Sequence, residues 1–149
     1  MPNSDDPFAL RRFIQAQAEN YEDALEELRA GRKRTHWSWY VLPQIQGLGS
    51  SAMSVRYAIS GLAEAQAYLA HPVLGSRLRD CVAAMNTHSG LSASVILGEI
   101  DARKFHSCIT LFARIAEPDS SFHLALAKYF LNSQDLATLA ILTQQVHSG

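Results

Sequence analysis

Several kinds of function are excluded by what this sequence lacks. Cysteine occurs only as Cys81 and Cys108, with no CxxC spacing. That disfavours a zinc ribbon or a thioredoxin-like pair and reads both thiols as small buried apolar groups. No apolar run approaches the roughly 20 residues that span a bilayer. The opening "MPNSDDPFAL" has no basic stretch followed by an apolar one, so no membrane segment or secretory signal is expected and the cytoplasm is the expected location. An excess of one charge is also missing: 13 Lys and Arg face 14 Asp and Glu, for a formal net charge of −1. A protein that coats nucleic acid needs a broad basic face, and this balance makes that class the weakest reading. The six histidines form no HxxxH or HExxH pair. No metal is therefore expected, and no motif demands a cofactor. There is no fixed-period repeat, low-complexity segment or alternating βαβ pattern.

What is present is helical periodicity. A chain of 149 residues with 48% apolar and 18% charged residues suits one soluble domain with its own core. Asp6–Pro7 reads as an N-cap and first helical position, followed by a face of Phe8, Phe13, Ile14 and Gln17. "ENYEDALEELRAGR" continues with Tyr21, Ala24, Leu25 and Leu28, and Gly31 is a natural stop. "HWSWYVLPQ" fits a helical turn ended by Pro43 better than a short strand. Ser60 is expected to cap the next helix and Pro72 to open the one after it, where Gly75 permits close packing of a neighbouring backbone. Ser92 is a candidate cap for "SASVILG", Asp101 for "ARKFHSCITLFARIA", Ser120 or Ser121 for "SFHLALAKYFLN" and Asp135 for the last helix. The β-branched pair Ile109–Thr110 keeps a strand reading open. The expectation is an all-α, compact single-domain bundle of about six to eight helices over residues 7–145, with a leader at 1–6 and a tail at 146–149.

One stretch, "GRKRTHWSWYVLPQIQGLGSSAMS" at residues 31–54, gathers unusual chemistry. Arg32, Lys33 and Arg34 follow a helix whose negative end they complement, and one of them is available to a ligand. Trp37 and Trp39 are two residues apart and so point about 200° apart on a helix; one is expected in the core and the other free to cover a base. "GLGSSA" matches a dinucleotide fingerprint formally, but no parallel strand precedes it. A looser reading survives, in which Gly47 and Gly49 expose backbone N–H groups and Ser51 adds a hydroxyl, against the plain alternative of a capped glycine turn. His36 is the first candidate for proton transfer.

Together, "RFIQAQAENYEDALEELRAGRKRTHWSWYVLPQIQGLGSSAMSVRYAI", "EAQAYLAHPVLGSRL" and "DARKFHSCITLF" resemble the bacterial family catalogued as domain of unknown function 1810, over roughly Pro7 to Leu142. The resemblance implies a compact, mainly helical domain and little about activity. This chain departs from the family pattern at Ser38, Leu42 and Cys108, where Met, Phe and Ser are usual. A fainter similarity in size, helical character and tryptophan-rich polar motifs points toward proteins that process NAD and ADP-ribose.

These readings converge on a pocket for a small anionic, nucleotide- or ADP-ribose-like ligand. Its expected ligand-binding residues are Arg32, Lys33, Arg34, Trp37, Trp39, Gln44, Gly47, Gly49, Ser51 and Lys104, and the catalytic candidates are His36, Ser107 and Tyr57. A hydrolase or glycosidase acting on that ligand is one class of function. A noncatalytic module for a small ligand or a protein partner is the other.

Overall fold

The computed structural model describes residues 6–148 and contains, among them, nine α-helices: α1 (Arg11–Ala30), α2 (Ser38–Val41), α3 (Ala52–Arg56), α4 (Leu62–Ala70), α5 (Leu74–Asn86), α6 (Ala93–Leu97), α7 (Glu99–Ala113), α8 (Ser121–Phe130) and α9 (Leu136–Ser148). The all-α expectation holds, and the count exceeds six to eight because α2, α3 and α6 are single turns of four or five residues. Most of the expected leader, residues 1–5, and Gly149 of the expected tail lie outside the described residues. No described helix is long and apolar enough to cross a membrane.

Apolar spacing explains the packing. In α1, Phe13, Tyr21, Ala24, Leu25 and Leu28 fall on one face, which meets α5. α5 presents Leu74, Leu78, Cys81, Val82 and Met85, and packs on α8 as well as α1. α7 buries Ala102, Phe105, Cys108, Ile109 and Phe112 against α4, α6, α8 and α9. An aromatic chain ties these layers: Phe13 meets Tyr68 edge-on at 5.0 Å, Tyr68 meets Phe112 at 5.5 Å, and Phe112 stacks on Phe122 at 5.7 Å. Both cysteines are free and buried; burial pushes the Cys81 thiol up to about 12 and that of Cys108 well above its usual value.

The helix ends explain the boundaries, including those that differ from expectation. Asp6 caps the turn before α1, accepting from the Leu10 and Arg11 amides, so the helix starts at Arg11 and runs unbroken for 20 residues. Gly31, at φ +77°, ends it, while the Arg32 amide returns to the Glu27 carbonyl and His88 Nε2 donates to that of Leu28. Ser92 and Ser120 cap α6 and α8, and Asp135 accepts from the Thr138 amide at the start of α9. At α4 the cap is Gly61, and Glu64 reaches back to the Ser60 amide and hydroxyl. His71 Nδ1, rather than Pro72, prepares α5 by accepting from the Val73 and Leu74 amides. Asp101 is no cap, because α7 already begins at Glu99. Ile109 and Thr110 are helical: Thr110 Oγ1 donates to the His106 carbonyl and accepts from the Asp135 amide, which removes the strand alternative.

Gly75 marks the tightest crossing. A Cβ built there would lie 2.0 Å from the Leu69 carbonyl oxygen, so α4 and α5 approach through a gap only glycine leaves. Gly75→Ala is expected to destabilise the fold by about 3 kcal/mol or more, because backbone rather than a flexible side chain must move. In a chain of this size that corresponds to a fall of about 10 °C in Tm, read by circular dichroism. An unchanged Tm contradicts the close approach.

Candidate functional site

Glu27 organises the segment that follows α1. The residue is 2% exposed and its carboxylate has no cationic partner among the described residues. It accepts four hydrogen bonds instead: from the amides of Arg34 (2.6 Å) and Thr35 (2.9 Å), from Thr35 Oγ1 (2.6 Å) and from Trp37 Nε1 (3.1 Å). Burial pushes this carboxyl up, but the Thr35, Arg34 and Trp37 donors outweigh it and hold the pKa down to about 2. The chain after Gly31 is thereby wrapped around one anion, and the Trp37 indole is drawn fully into the core.

That wrapping presents Lys33 to α7. Lys33 Nζ lies 2.9 Å from Asp101 Oδ2, donates to the Thr35 carbonyl and sits 5.0 Å above the Trp37 ring. From α7, Lys104 Nζ lies 3.6 Å from the other Asp101 oxygen and 4.8 Å over the Trp39 ring. Two ammonium groups therefore share one carboxylate, so these three side chains together carry one net positive charge, with the ionised Glu27 held at the edge of the Trp37 indole. These residues, with His36, Ser38 and Ile100, wall a hollow of about 240 Å³. Ser38 Oγ, in the same wall, is buried with no hydrogen-bond partner.

A second hollow, of about 210 Å³, lies on the other side of Trp39 and is lined by Gln44, Gly47, Gly49, Ser54, Val55 and Tyr57 among others. Its frame is the isolated parallel bridge between Ile45 and Ile59, made by Gln46 N–H to the Ile59 carbonyl and Ile59 N–H to that of Gln44, each 2.8 Å. Between these strutted ends Gly47 takes φ +105°. A Cβ on Gly49 would meet Ser54 Oγ at 2.6 Å. Ser51 caps α3 and donates to Ser54 Oγ. Gln44 Nε2 donates to Ser107 Oγ at 2.6 Å, and Ser107 donates in turn to the Lys104 carbonyl. Tyr57 closes the inner wall against Phe13 and Tyr40.

The single pocket expected from sequence is thus two hollows with Trp39 as their common wall. Lys33, His36, Trp37 and Lys104 belong to the first; Gln44, Gly47, Gly49 and Tyr57 belong to the second. Arg32 and Arg34 are exposed and line neither, since the Glu27 wrapping turns their side chains outward while holding the Arg34 amide inward. Ser51 is committed to its cap, and Ser107 stands behind Gln44 with its hydroxyl already engaged on both sides. His36, Ser107 and Tyr57 do not meet in one constellation. Sequence reasoning missed Glu27 and the bridging role of Asp101. For Glu27 the available signal was an acid near the negative end of a helix, where its charge is unfavourable without other donors.

Comparison with known proteins adds the following. The family profile described as "Protein of unknown function (DUF1810)" matches residues 7–142. A crystal structure of the conserved hypothetical protein Rv1873 from Mycobacterium tuberculosis is similar at 51% identity, with a TM-score of 0.90, covering 93% of this chain and 99% of that one. No curated protein matches.

Because Glu27 has a lower pKa folded than unfolded, its stabilisation is complete above about pH 4.5 and is lost as pH falls toward 2. A difference of that size is worth on the order of 3 kcal/mol. Glu27→Gln is expected to lower unfolding free energy at pH 7 by about 2–4 kcal/mol in urea titrations followed by tryptophan fluorescence. The gap from wild type should narrow as pH is taken from 5 to 3. A gap that stays constant over that range rules out the charged carboxylate as its source.

Proposed function

Because the chain belongs to the DUF1810 family, whose description assigns no activity, we propose from the geometry that the protein binds a small anionic ligand of nucleotide-like build, with its phosphate at Lys33 and Lys104 and its ring beside Trp39 and Tyr57. The observation that carries this reading is the pair of lysines, one after α1 and one on α7, that share a single aspartate inside a hollow walled by indoles. A positive charge in excess, held where water is partly excluded, favours an anion more strongly than the same charge on open surface.

Size supports a ligand in two parts. Each hollow is smaller than the roughly 300–1,000 Å³ of a typical small-molecule site, and each suits a fragment of phosphate or ring dimensions. The second hollow supplies aromatic surface from Trp39 and Tyr57 and polar edges from Gln44 and Gln46. Neither hollow brings a hydroxyl nucleophile against a base among the described residues, so the reading stops at binding.

Calorimetric titration and thermal shift with AMP, ADP-ribose, ribose 5-phosphate and inorganic phosphate test it. Binding is expected for the phosphorylated ligands, with Lys104→Met weakening all of them by about tenfold. Trp39→Leu should weaken AMP and ADP-ribose more than ribose 5-phosphate. Absence of any stabilisation at millimolar ligand sinks the proposal. Mass spectrometry on the same mixtures separates the classes: intact ligand after long incubation fits a binding module, and cleaved ligand assigns a hydrolase or glycosidase.

A further inference from the structure

Asp101 is held differently from the other carboxylates that the fold fixes. Asp6, Glu27, Glu64 and Asp135 each accept at least one backbone N–H. Asp101 accepts none among the described residues, and its oxygens meet only the two ammonium groups. It is the third residue of α7, and its side chain is 20% exposed. Rotation about its own torsions therefore carries the carboxylate to water without moving the helix.

Lys33 lacks that freedom. The Lys33 side chain is 6% exposed, lies over Trp37 and is tied to the Thr35 carbonyl. Lys104 is braced against the face of Trp39. If Asp101 left with nothing in its stead, the two ammonium groups would lose the carboxylate that bridges them, which is unfavourable. The favourable process is an exchange of one anion for another.

We propose that Asp101 is an internal stand-in for the ligand's anion, seated between Lys33 and Lys104 and displaced when a phosphate monoester enters. The inference rests on the reading of this hollow as an anion site and specifies its ligand class. With Asp101 seated, the two lysines carry one net positive charge; with Asp101 swung out, they carry two. Two charges match the dianion of a phosphate monoester better than a carboxylate or a phosphodiester, each of which carries one. Ser38, in the same wall, carries a buried hydroxyl with no hydrogen-bond partner. Aspartate and ligand compete for one seat, so the apparent affinity falls by the fraction of time the seat is taken.

The test uses the full chain at pH 8, with phenyl phosphate as the dianion and dimethyl phosphate as the monoanion. Asp101→Asn removes the competitor while keeping the side-chain shape. It is expected to bind phenyl phosphate about tenfold more tightly than wild type in calorimetry, and to change dimethyl phosphate affinity by about threefold or less. A measurement on the wild-type protein guards against a variant that fails to fold: the Asp101 side-chain carboxyl carbon resonance should move on saturation with phenyl phosphate, while that of Asp135 stays fixed. If wild type binds phenyl phosphate but the Asp101 resonance does not move, or if folded Asp101→Asn binds no more tightly, displacement is overturned and the anion site stands. If neither protein binds either probe, both fall.

Discussion

A buried carboxylate without a cation is an expensive thing to fold around, and the arrangement of this protein follows from how Glu27 is satisfied. Its four donors come from the six residues after Gly31: two backbone amides, a hydroxyl and an indole N–H. Meeting them all fixes the path of the chain as it leaves α1. That path commits Trp37 to the core, lays Lys33 across the Trp37 ring, and starts α2 in the direction that leaves Trp39 half-buried between two hollows. A neutral side chain at position 27 would leave those donors without an anion to converge on.

A division between saturated and unsaturated polar groups runs through the rest of the molecule. Arg12 is fixed: its guanidinium donates to the carbonyls of Phe8, Ala9, Arg56 and Ala58 and to Glu64, joining the start of α1 to the end of the loop that holds the second hollow. Gln17 is fixed as well, donating to the Tyr40 carbonyl and Tyr68 hydroxyl in the core. These polar groups are saturated, and a saturated buried group stiffens its surroundings without offering anything to a ligand. The groups with capacity left over lie elsewhere. The Lys33–Asp101–Lys104 set carries unbalanced charge, and Ser38 has an unbonded hydroxyl. The charged set and Ser38 border the same hollow, whereas the other buried atom without a partner among the described residues, Asn86 Oδ1, is not in its lining.

The local part of this architecture was legible in the sequence, and the relational part was not. Gly31, Ser92, Ser120 and Asp135 announce helix ends because a cap acts within about four residues of itself. Gly75 was readable as a close approach, though not the identity of its neighbour, the Leu69 carbonyl. The role of Glu27 was hidden because three of its four donors are backbone amides and an indole, which every sequence supplies and no spacing rule singles out. Asp101 invited the wrong local explanation: an acid ahead of an apolar-periodic run looks like a cap, and only the fold reveals that Gly98 and Glu99 start the helix earlier. Trp37 and Trp39 divided as their spacing demands, one into the core and one into a shared wall.

The candidate site also lies where helical proteins have room for one. Helix interiors spend their backbone groups on themselves, so free polar chemistry collects where helices begin and end. Here the end of α1, all of α2 and the first turns of α7 meet at Trp39, and the two-bond bridge between Ile45 and Ile59 keeps the intervening loop from collapsing onto them. Lys33 and Lys104 stand 71 positions apart in the chain, yet both ammonium groups are braced by an indole face before any ligand arrives. Such bracing limits the side-chain entropy that long lysines lose on binding, which is why an anion would be held better here than by the exposed Arg32 and Arg34 nearby, despite the stronger fork of the guanidinium.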